Sequence, residues 1–504
     1  MVFGIFVGAT PGLTATMAVA LIVPISFHMD PTAGLAMIIG VSFTAIFAGD
    51  IPATYLRIPG TPASAAATLD GHQMAKRGDG ALALTLDLFC SAIGGLIGVT
   101  LLILVAPQLA RFALQFSFYE IFWLAVFGLS LSALVSTGST SKGWMSACLG
   151  VLLSTVGMDI VSGIPRYTFR HAGMLQGLEG VETMGWLTDG IRSLSIDLMS
   201  GLNFIPVMIG LFGLSEVFRN LARRQSDNTE GIAARERLPL GRSLLEIVRH
   251  WRTVIQSAVA GTVIGALPGA GADIAAWGAY GIAQKTSKNG DRFGTGIIEG
   301  VVAPTSANNA AIAGAWIPAL VFGVPGDAVT AIVLGALMMY EIRPGPQIFQ
   351  ESGDQVRAIF AVALITQFLL IVAGLAGIKA FGWILRLPRG IVMTAVVVFS
   401  VVGAYSLRNS MFDVYVMLTF GMVGYFLESH RVPLAPMILG LILGPMVEEK
   451  LRVGLINSDG SFAPFFTRPI CAVLVTLLVV TFIALPLARW MRRRRGAGVV
   501  PRGK

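Results

Sequence analysis

The stretches VFGIFVGATPGLTA (residues 2–15) and VAGTVIGALPGAGA (residues 259–272) decide how this chain is read. Gly4, Gly8, Pro11 and Gly12 of the first recur as Gly261, Gly265, Pro268 and Gly269, at an offset of 257 in all four positions. Further out, Ile51-Pro52-Ala53 and Pro59-Gly60 recur as Ile317-Pro318-Ala319 and Pro325-Gly326, at an offset of 266. Both copies lie in strongly apolar sequence. Glycine and proline are common in membrane helices, but chance matches do not hold register over so many positions, and an internal repeat marks architecture. Paired Gly/Pro-interrupted apolar segments in corresponding halves point to the binding site of a secondary transporter.

Composition agrees. Of 504 residues 55% are hydrophobic and only 13% charged, roughly half the charged share of a soluble domain, and the mean hydropathy is +0.75. Leu88 to Ala110, Ile121 to Ser141, Thr253 to Ala272, Ala358 to Ile378 and Ile470 to Ala488 hold no Asp, Glu, Lys or Arg. Each approaches the roughly 20 residues a helix needs to cross a hydrocarbon core, whereas a β-barrel would show short alternating strands. The expected fold is therefore all-α: a polytopic helical membrane protein of two inverted repeats, with Pro-Gly-broken helices or re-entrant hairpins and roughly ten to twelve full spans.

The net charge of +8 does not point to nucleic acid, because the basic residues cluster at membrane edges. Arg219, Arg223, Arg224, Arg235, Arg237, Arg242, Arg249 and Arg252 crowd one connection, and Arg489, Arg492 to Arg495, Arg502 and Lys504 form the tail. Excess Lys and Arg mark cytoplasmic segments. The expected organisation is a first transport repeat with its following spans (1–218), a basic cytoplasmic linker (219–252), a second repeat with its spans (253–490) and a basic cytoplasmic tail (491–504). Ser162 to Asp197 is a second polar excursion. Cys90, Cys148 and Cys471 lie in apolar stretches and read as small core residues. Met1 is followed by no basic n-region, so no cleavable leader is expected. The second copy follows a full span, roughly Trp251 to Leu267; the first has ten residues before Pro11. Its first helix is expected either to lack its beginning or to be a short half-helix.

Apolar segments at 2–28, 253–283 and 297–340 are interrupted by Pro-Gly. Broken backbone at membrane depth is tolerated only where it lines a cavity or is buried in protein. Pro59-Gly60-Thr61-Pro62-Ala63-Ser64 is a turn leading into small residues. The first amides of the following helix have no intrahelical partner and, with the positive end of the dipole, can hold an anion; alternatively the small residues form a packing surface. In the second half, Pro325-Gly326-Asp327 is the counterpart. Substrate-binding candidates are thus Pro59, Gly60, Thr61, Ser64, Pro325, Gly326 and Asp327. Pro268-Gly269-Ala270-Gly271 and Pro304-Thr305-Ser306-Ala307-Asn308-Asn309 offer freed carbonyls, hydroxyls and amides, hard oxygen donors suited to Na⁺. Ion-binding candidates are Gly269, Gly271, Ser306, Asn308 and Asn309, with an interhelical hydrogen-bonded pair as the alternative for the two asparagines. Arg57 and Arg343 flank the hairpins and read as snorkelling side chains, with attraction of a carboxylate as the alternative. Asp87, alone near the start of an apolar stretch, is either a proton site or a residue at the water boundary. There is no P-loop and no third glycine of a dinucleotide fingerprint, and the five histidines are scattered. No catalytic residue, cofactor or metal beyond Na⁺ is expected.

Ile58-Pro59-Gly60-Thr61-Pro62-Ala63-Ser64-Ala65, Leu69-Asp70-Gly71, Pro268-Gly269-Ala270-Gly271-Ala272, Phe293-Gly294, Glu299-Gly300-Val301, Ser306-Ala307-Asn308-Asn309-Ala310-Ala311 and Pro344-Gly345-Pro346 resemble the large membrane subunit of the tripartite tricarboxylate transporters. The resemblance covers nearly the whole chain. It implies a multi-pass importer of the bacterial inner membrane, working with a small membrane subunit and a periplasmic solute-binding protein. It also implies ion coupling, with Na⁺ expected, and citrate or another organic carboxylate as substrate. The chain departs from the family at Thr305, where a glutamate is usual, at His72-Gln73, and at Asp50-Ile51-Pro52, which replaces a Gly/Ser/Thr-rich stretch. Two other functions compete. An integral-membrane transferase or hydrolase would need clustered acidic or His residues at a membrane edge. An uncoupled channel or scaffold subunit would have no need of broken helices in both halves.

Overall fold

The computed structural model describes residues 1–135, 139–159, 161–168, 193–222, 238–384 and 389–496. Helices dominate it. The first half contains α1 (Val2–Ala9), α2 (Ala15–Ser26), α3 (Pro31–Ala48), α4 (Asp50–Leu56), α5 (Ser64–Lys76), α6 (Gly80–Ala113), α7 (Phe118–Val135) and α8 (Thr140–Ser154). A short antiparallel hairpin pairs β1 (Gly157–Met158) with β2 (Pro165–Arg166). Then come α9 (Phe204–Ala222), with a π-helical turn at Ile209–Leu214, and α10 (Leu240–Arg249). The second half contains α11 (Trp251–Gly265), α12 (Gly271–Thr286), α13 (Ile298–Phe322), α14 (Ala328–Met339), α15 (Gly353–Ile384), α16 (Arg389–Ser406), α17 (Met411–Ser429), α18 (Ala435–Asn457) and α19 (Pro469–Gly496).

The breaks fall where the sequence places them. Pro11-Gly12 separates α1 from α2, and Pro268-Gly269 separates α11 from α12. Gly12 and Gly269 take φ of +92° and +78°, a conformation that costs glycine little and other residues more. Thr14 then caps α2, accepting from the Met17 amide at 3.2 Å. Asp30 caps α3, accepting from the Thr32 amide at 2.9 Å, with Pro31 in the first turn, where its missing N–H is harmless.

The repeat extends to the contacts. α3 and α4 together (Pro31–Leu56) correspond to α13, and α5 to α14. A Cβ at Gly4 would stand 2.8 Å from the Val41 carbonyl oxygen; one at Gly261 would stand 2.4 Å from that of Ala307. Gly8 presses on the Ala45 carbonyl (2.3 Å) as Gly265 presses on that of Ala311 (2.2 Å). Gly60 meets the Gly8 carbonyl and Gly49 as Gly326 meets the Gly265 carbonyl and Ala315. One offset of 257 and one of 266 account for every pair. Small residues let helices approach this closely, the usual basis of packing in lipid. The chain also reverses identically. Arg57 and Gly323, left-handed at φ +58° and +68°, end α4 and α13, and Ile58 and Val324 donate back to Pro52 and Pro318, both at 3.3 Å.

Among the described residues, five helices are long and apolar enough to cross a membrane: Pro31–Leu56, Gly80–Ala113, Phe204–Ala222, Gly353–Ile384 and Met411–Ser429. Shorter apolar helices include Ala15–Ser26, Ala328–Met339 and Gly390–Ser406. The protein is thus a polytopic helical membrane protein. Shortening is most evident at the broken hairpins, where one apolar run becomes two helices.

Three expectations change. Cys90 and Cys471 are buried but Cys148 is exposed, because it falls on the outward face of α8. Arg219 belongs to α9 rather than to a linker, and Leu240–Arg249 is an amphipathic helix whose Ser243 and Ile247 are buried; residues 223–237 lie outside the described residues, as do 169–192 of the second polar excursion and 497–504 of the tail. A β-hairpin leads into that excursion, which holds only its second strand, and it is ion-paired: Arg166 binds Glu448 at 2.6 Å and Arg452 binds Asp159, just before the excursion, at 2.6 Å.

Candidate functional site

Each hairpin tip builds the same small polar device. In the first half, Thr61 Oγ1 and Ser64 Oγ lie 2.8 Å apart, and the Ser64 amide donates to Thr61 Oγ1 at 3.3 Å. In the second half, 266 residues on, Asp327 Oδ1 accepts from the Thr330 hydroxyl and amide, both at 2.7 Å, and the Asp327 amide donates to Thr330 Oγ1 at 2.9 Å. This reciprocal cap satisfies two first-turn donors of α14. The halves also meet here: Asp273, in the first turn of α12, lies against the Ala63 amide at the start of α5. Side chains of this chain therefore already engage first-turn amides at both tips.

The tips converge on one cavity of about 570 Å³. Its wall includes Thr61 and Pro62 from the first hairpin, Gly269, Gly271 and Asp273 from the α11–α12 break, and Asp327 from the second hairpin. α9 adds Glu216 and Arg219, and the end of α17 and the turn after it add Glu428 and Arg431. Arg219 bridges Glu216 and Glu428, the latter at 3.4 Å.

Pro59, Gly60, Pro325 and Gly326 form the turns behind the wall. Ser64, Ser306, Asn308 and Asn309 are buried behind Thr61 rather than lining the cavity. There Asn308 Nδ2 donates to Asp50 Oδ2 at 3.2 Å, and its Oδ1 accepts from the Asn309 amide at 2.6 Å. Ser64 and Asp87 also lie against the Asp50 carboxyl group. Ser306 bonds back to the Val302 carbonyl at 2.8 Å. Both side-chain amide atoms of Asn309 are buried without a hydrogen-bond partner among the described residues. Asp87 is 2% exposed, not at a water boundary. Arg57 is exposed, and Arg343 borders a second, open cavity of about 900 Å³.

Sequence reasoning passed over Asp50 as a participant, and over Asp273, Glu216 and Glu428. The available signal was an acidic residue inside an apolar run, which in a membrane protein is a functional hypothesis by default.

Paired broken hairpins closing on a polar cavity within a bundle of apolar helices define a membrane transport protein. Residues 1–439 match the Tripartite tricarboxylate transporter TctA family, and the chain belongs to it: it is the large membrane subunit of a tricarboxylate-transporter system. It is 34% identical over 494 residues to the "Uncharacterized 52.8 kDa protein in TAR-I ttuC' 3'region" of Agrobacterium vitis, covering 98% of this chain and 93% of that protein. It is 38% identical over 226 residues to the "Uncharacterized protein in TAR-II ttuC' 3'region" of the same organism, covering 45% of this chain and 93% of that protein. No solved structure matches it significantly.

Proposed function

We propose that this chain takes up an organic di- or tricarboxylate of the citrate type by Na⁺-coupled secondary transport. A small membrane subunit and a periplasmic solute-binding protein complete the system. The observation that carries this reading is the cavity of about 570 Å³ on which the tips of both repeats converge. Its wall sets Asp273, Asp327, Glu216 and Glu428 against Arg219 and Arg431. A carboxylate substrate adds negative charge to a wall already short of positive charge, so a co-transported cation is needed to offset it. The N-termini of α5 and α14 contribute about half an elementary charge each. The substrate competes there with Asp273 and Asp327, which gives a site that releases as well as binds. Two separate groups offer the donor type Na⁺ takes: behind Thr61, the free carbonyl oxygen of Asn309 with Asn308 and Ser306, and in the cavity wall, the backbone of Gly269 and Gly271.

The test is citrate and dicarboxylate uptake in vesicles holding the reconstituted system, with Na⁺ or choline gradients and with each partner omitted. Uptake should require the Na⁺ gradient and the binding protein. Gradient-independent equilibration at the same rate would sink coupling and favour a channel.

A further inference from the structure

Asp50 opens α4 and Asp87 sits in the N-terminal third of α6, and they are 1% and 2% exposed. Their carboxyl groups face each other. Asn308 donates to Asp50 Oδ2 at 3.2 Å, and Ser91 Oγ donates to Asp87 Oδ1 at 3.1 Å. That leaves Asp50 Oδ1 and Asp87 Oδ2 buried with no donor among the described residues. No Lys, Arg or His among those residues forms an ion pair with either carboxylate. Two carboxylates held together away from water cannot both stay ionised without a positive guest, either a proton shared between them or a cation, since removing each charge from water costs several kcal/mol. Two orphaned oxygens in such a place are the ligands that guest would use.

We propose that Asp50 and Asp87 form a Na⁺ seat, with Asp50 Oδ1 and Asp87 Oδ2 as its anionic ligands and the Ser64 hydroxyl beside them. The inference rests on the Na⁺-coupled reading above and names the residues that deliver it. Hard oxygen donors suit Na⁺. The seat reports directly to the substrate cavity. Ser64 touches Asp50 on one side and Thr61 Oγ1, at 2.8 Å, on the other, and Thr61 is part of the cavity wall. Filling the seat fixes the tip that the substrate meets, and by linkage the substrate tightens the seat.

The experiment uses the purified full-length chain, with Na⁺ exchanged for choline at constant pH and chloride. Radioactive sodium binding and the thermal unfolding midpoint are read in the wild type and in Asp50→Asn, Asp87→Asn and Asp79→Asn. Wild type and Asp79→Asn should show saturable sodium binding and a matching rise in midpoint. Asp50→Asn and Asp87→Asn should lose more than about tenfold in sodium affinity while unfolding no earlier than wild type in choline, since a buried charge has gone. If both variants fail to fold, the wild type still decides: no saturable sodium binding overturns the seat. Unchanged sodium affinity in the folded variants overturns it too, as does a midpoint that responds to pH but not to Na⁺. Sodium binding lost in both variants, alongside vesicle uptake that ignores the Na⁺ gradient, would keep the seat and overturn the coupled-transport reading instead.

Discussion

Arg57 is the residue at which the two copies disagree most simply. It ends α4 at φ +58°, where the second copy uses Gly323 at φ +68°. A side chain in the left-handed region costs about 1 kcal/mol that glycine does not incur. Arg57→Gly should therefore raise the unfolding free energy by up to about 1 kcal/mol and leave sodium binding unchanged; a lower midpoint would show that the exposed guanidinium contributes to the fold. Asp159 offers a pH prediction away from the membrane-spanning helices. The Ser162 hydroxyl, foremost, then the Val161 amide, Arg452 and the Ser162 amide hold its carboxyl well below the usual carboxylate range. A folded value below the unfolded one, about 3.9, gives stability that is present above that unfolded value and lost as pH falls through the folded one. The stability that this carboxylate supplies should fall away only below about pH 4. Asp159→Asn should unfold earlier at neutral pH, and its gap to wild type should narrow on acidification. A gap constant from pH 7 to pH 3, measured by thermal unfolding in detergent, would show that the carboxylate does not carry this dependence.

Among the helices, the repeat makes paired predictions. Gly8 and Gly265 each press on a carbonyl of the facing helix, at Ala45 and Ala311, with distances to an added Cβ of 2.3 and 2.2 Å. Neither carbonyl can rotate away without breaking its helix. Gly8→Ala and Gly265→Ala should each cost about 1–3 kcal/mol, and by similar amounts, read as a fall in unfolding midpoint. A loss confined to one copy would mean that the two packings are not equivalent. These contacts were legible in the sequence, because an offset that conserves Gly and Pro also conserves the close approaches they permit. The Asp50–Asp87 contact was not, because apolar periodicity carries no information about which faces of α4 and α6 meet. The same holds for Asp273 and Ala63, brought together from opposite halves. Arg219 was assigned to a linker on charge alone, although the amphipathic end of α9 turns its acidic neighbour Glu216 inward, where it is 5% exposed. Asn308 is buried, and its partner is Asp50, a carboxylate inside an apolar run. Asn308→Ala should accordingly lower Na⁺-driven uptake by more than it lowers protein abundance, since it removes the donor at 3.2 Å from Asp50.

For the molecule as a whole, the expectation is that the repeats run in opposite senses across the membrane. The start of α13 lies against the end of α5: a Cβ at Gly296 would meet Gln73 at 3.1 Å, and Asp70 accepts the Gly294, Gly296 and Ile297 amides at 2.6–3.0 Å. Reciprocally, the start of α3 lies against the end of α14, where a Cβ at Gly34 would collide with the Tyr340 hydroxyl. Each repeat thus begins where the other ends. α13 has 25 residues, roughly 37 Å at 1.5 Å per residue, which in length alone exceeds a core of about 30 Å, although it is not among the five most apolar long helices. Gly345 donates to Leu320 near the far end of that helix, at 2.9 Å, so the turn around Arg343 is expected on the opposite side from the turn around Arg77. The Arg77 side is the side of the basic connection, because Arg242 pairs with Asp79 at 3.0 Å and Ser243 meets Thr85 at 2.5 Å. By the positive-inside rule that side is expected to be cytoplasmic. Arg77 and Arg343 are exposed and stand 266 residues apart, the same offset as the hairpin tips. In a Cys148→Ser background, Arg343→Cys should react with a membrane-impermeant maleimide on intact cells. Arg77→Cys should react only after the cells are opened. Reaction of both, or of neither, before opening would sink the inversion and leave a parallel duplication. Reaction of Arg77→Cys alone would keep the inversion and turn the whole protein over, placing the basic connection outside against the charge rule.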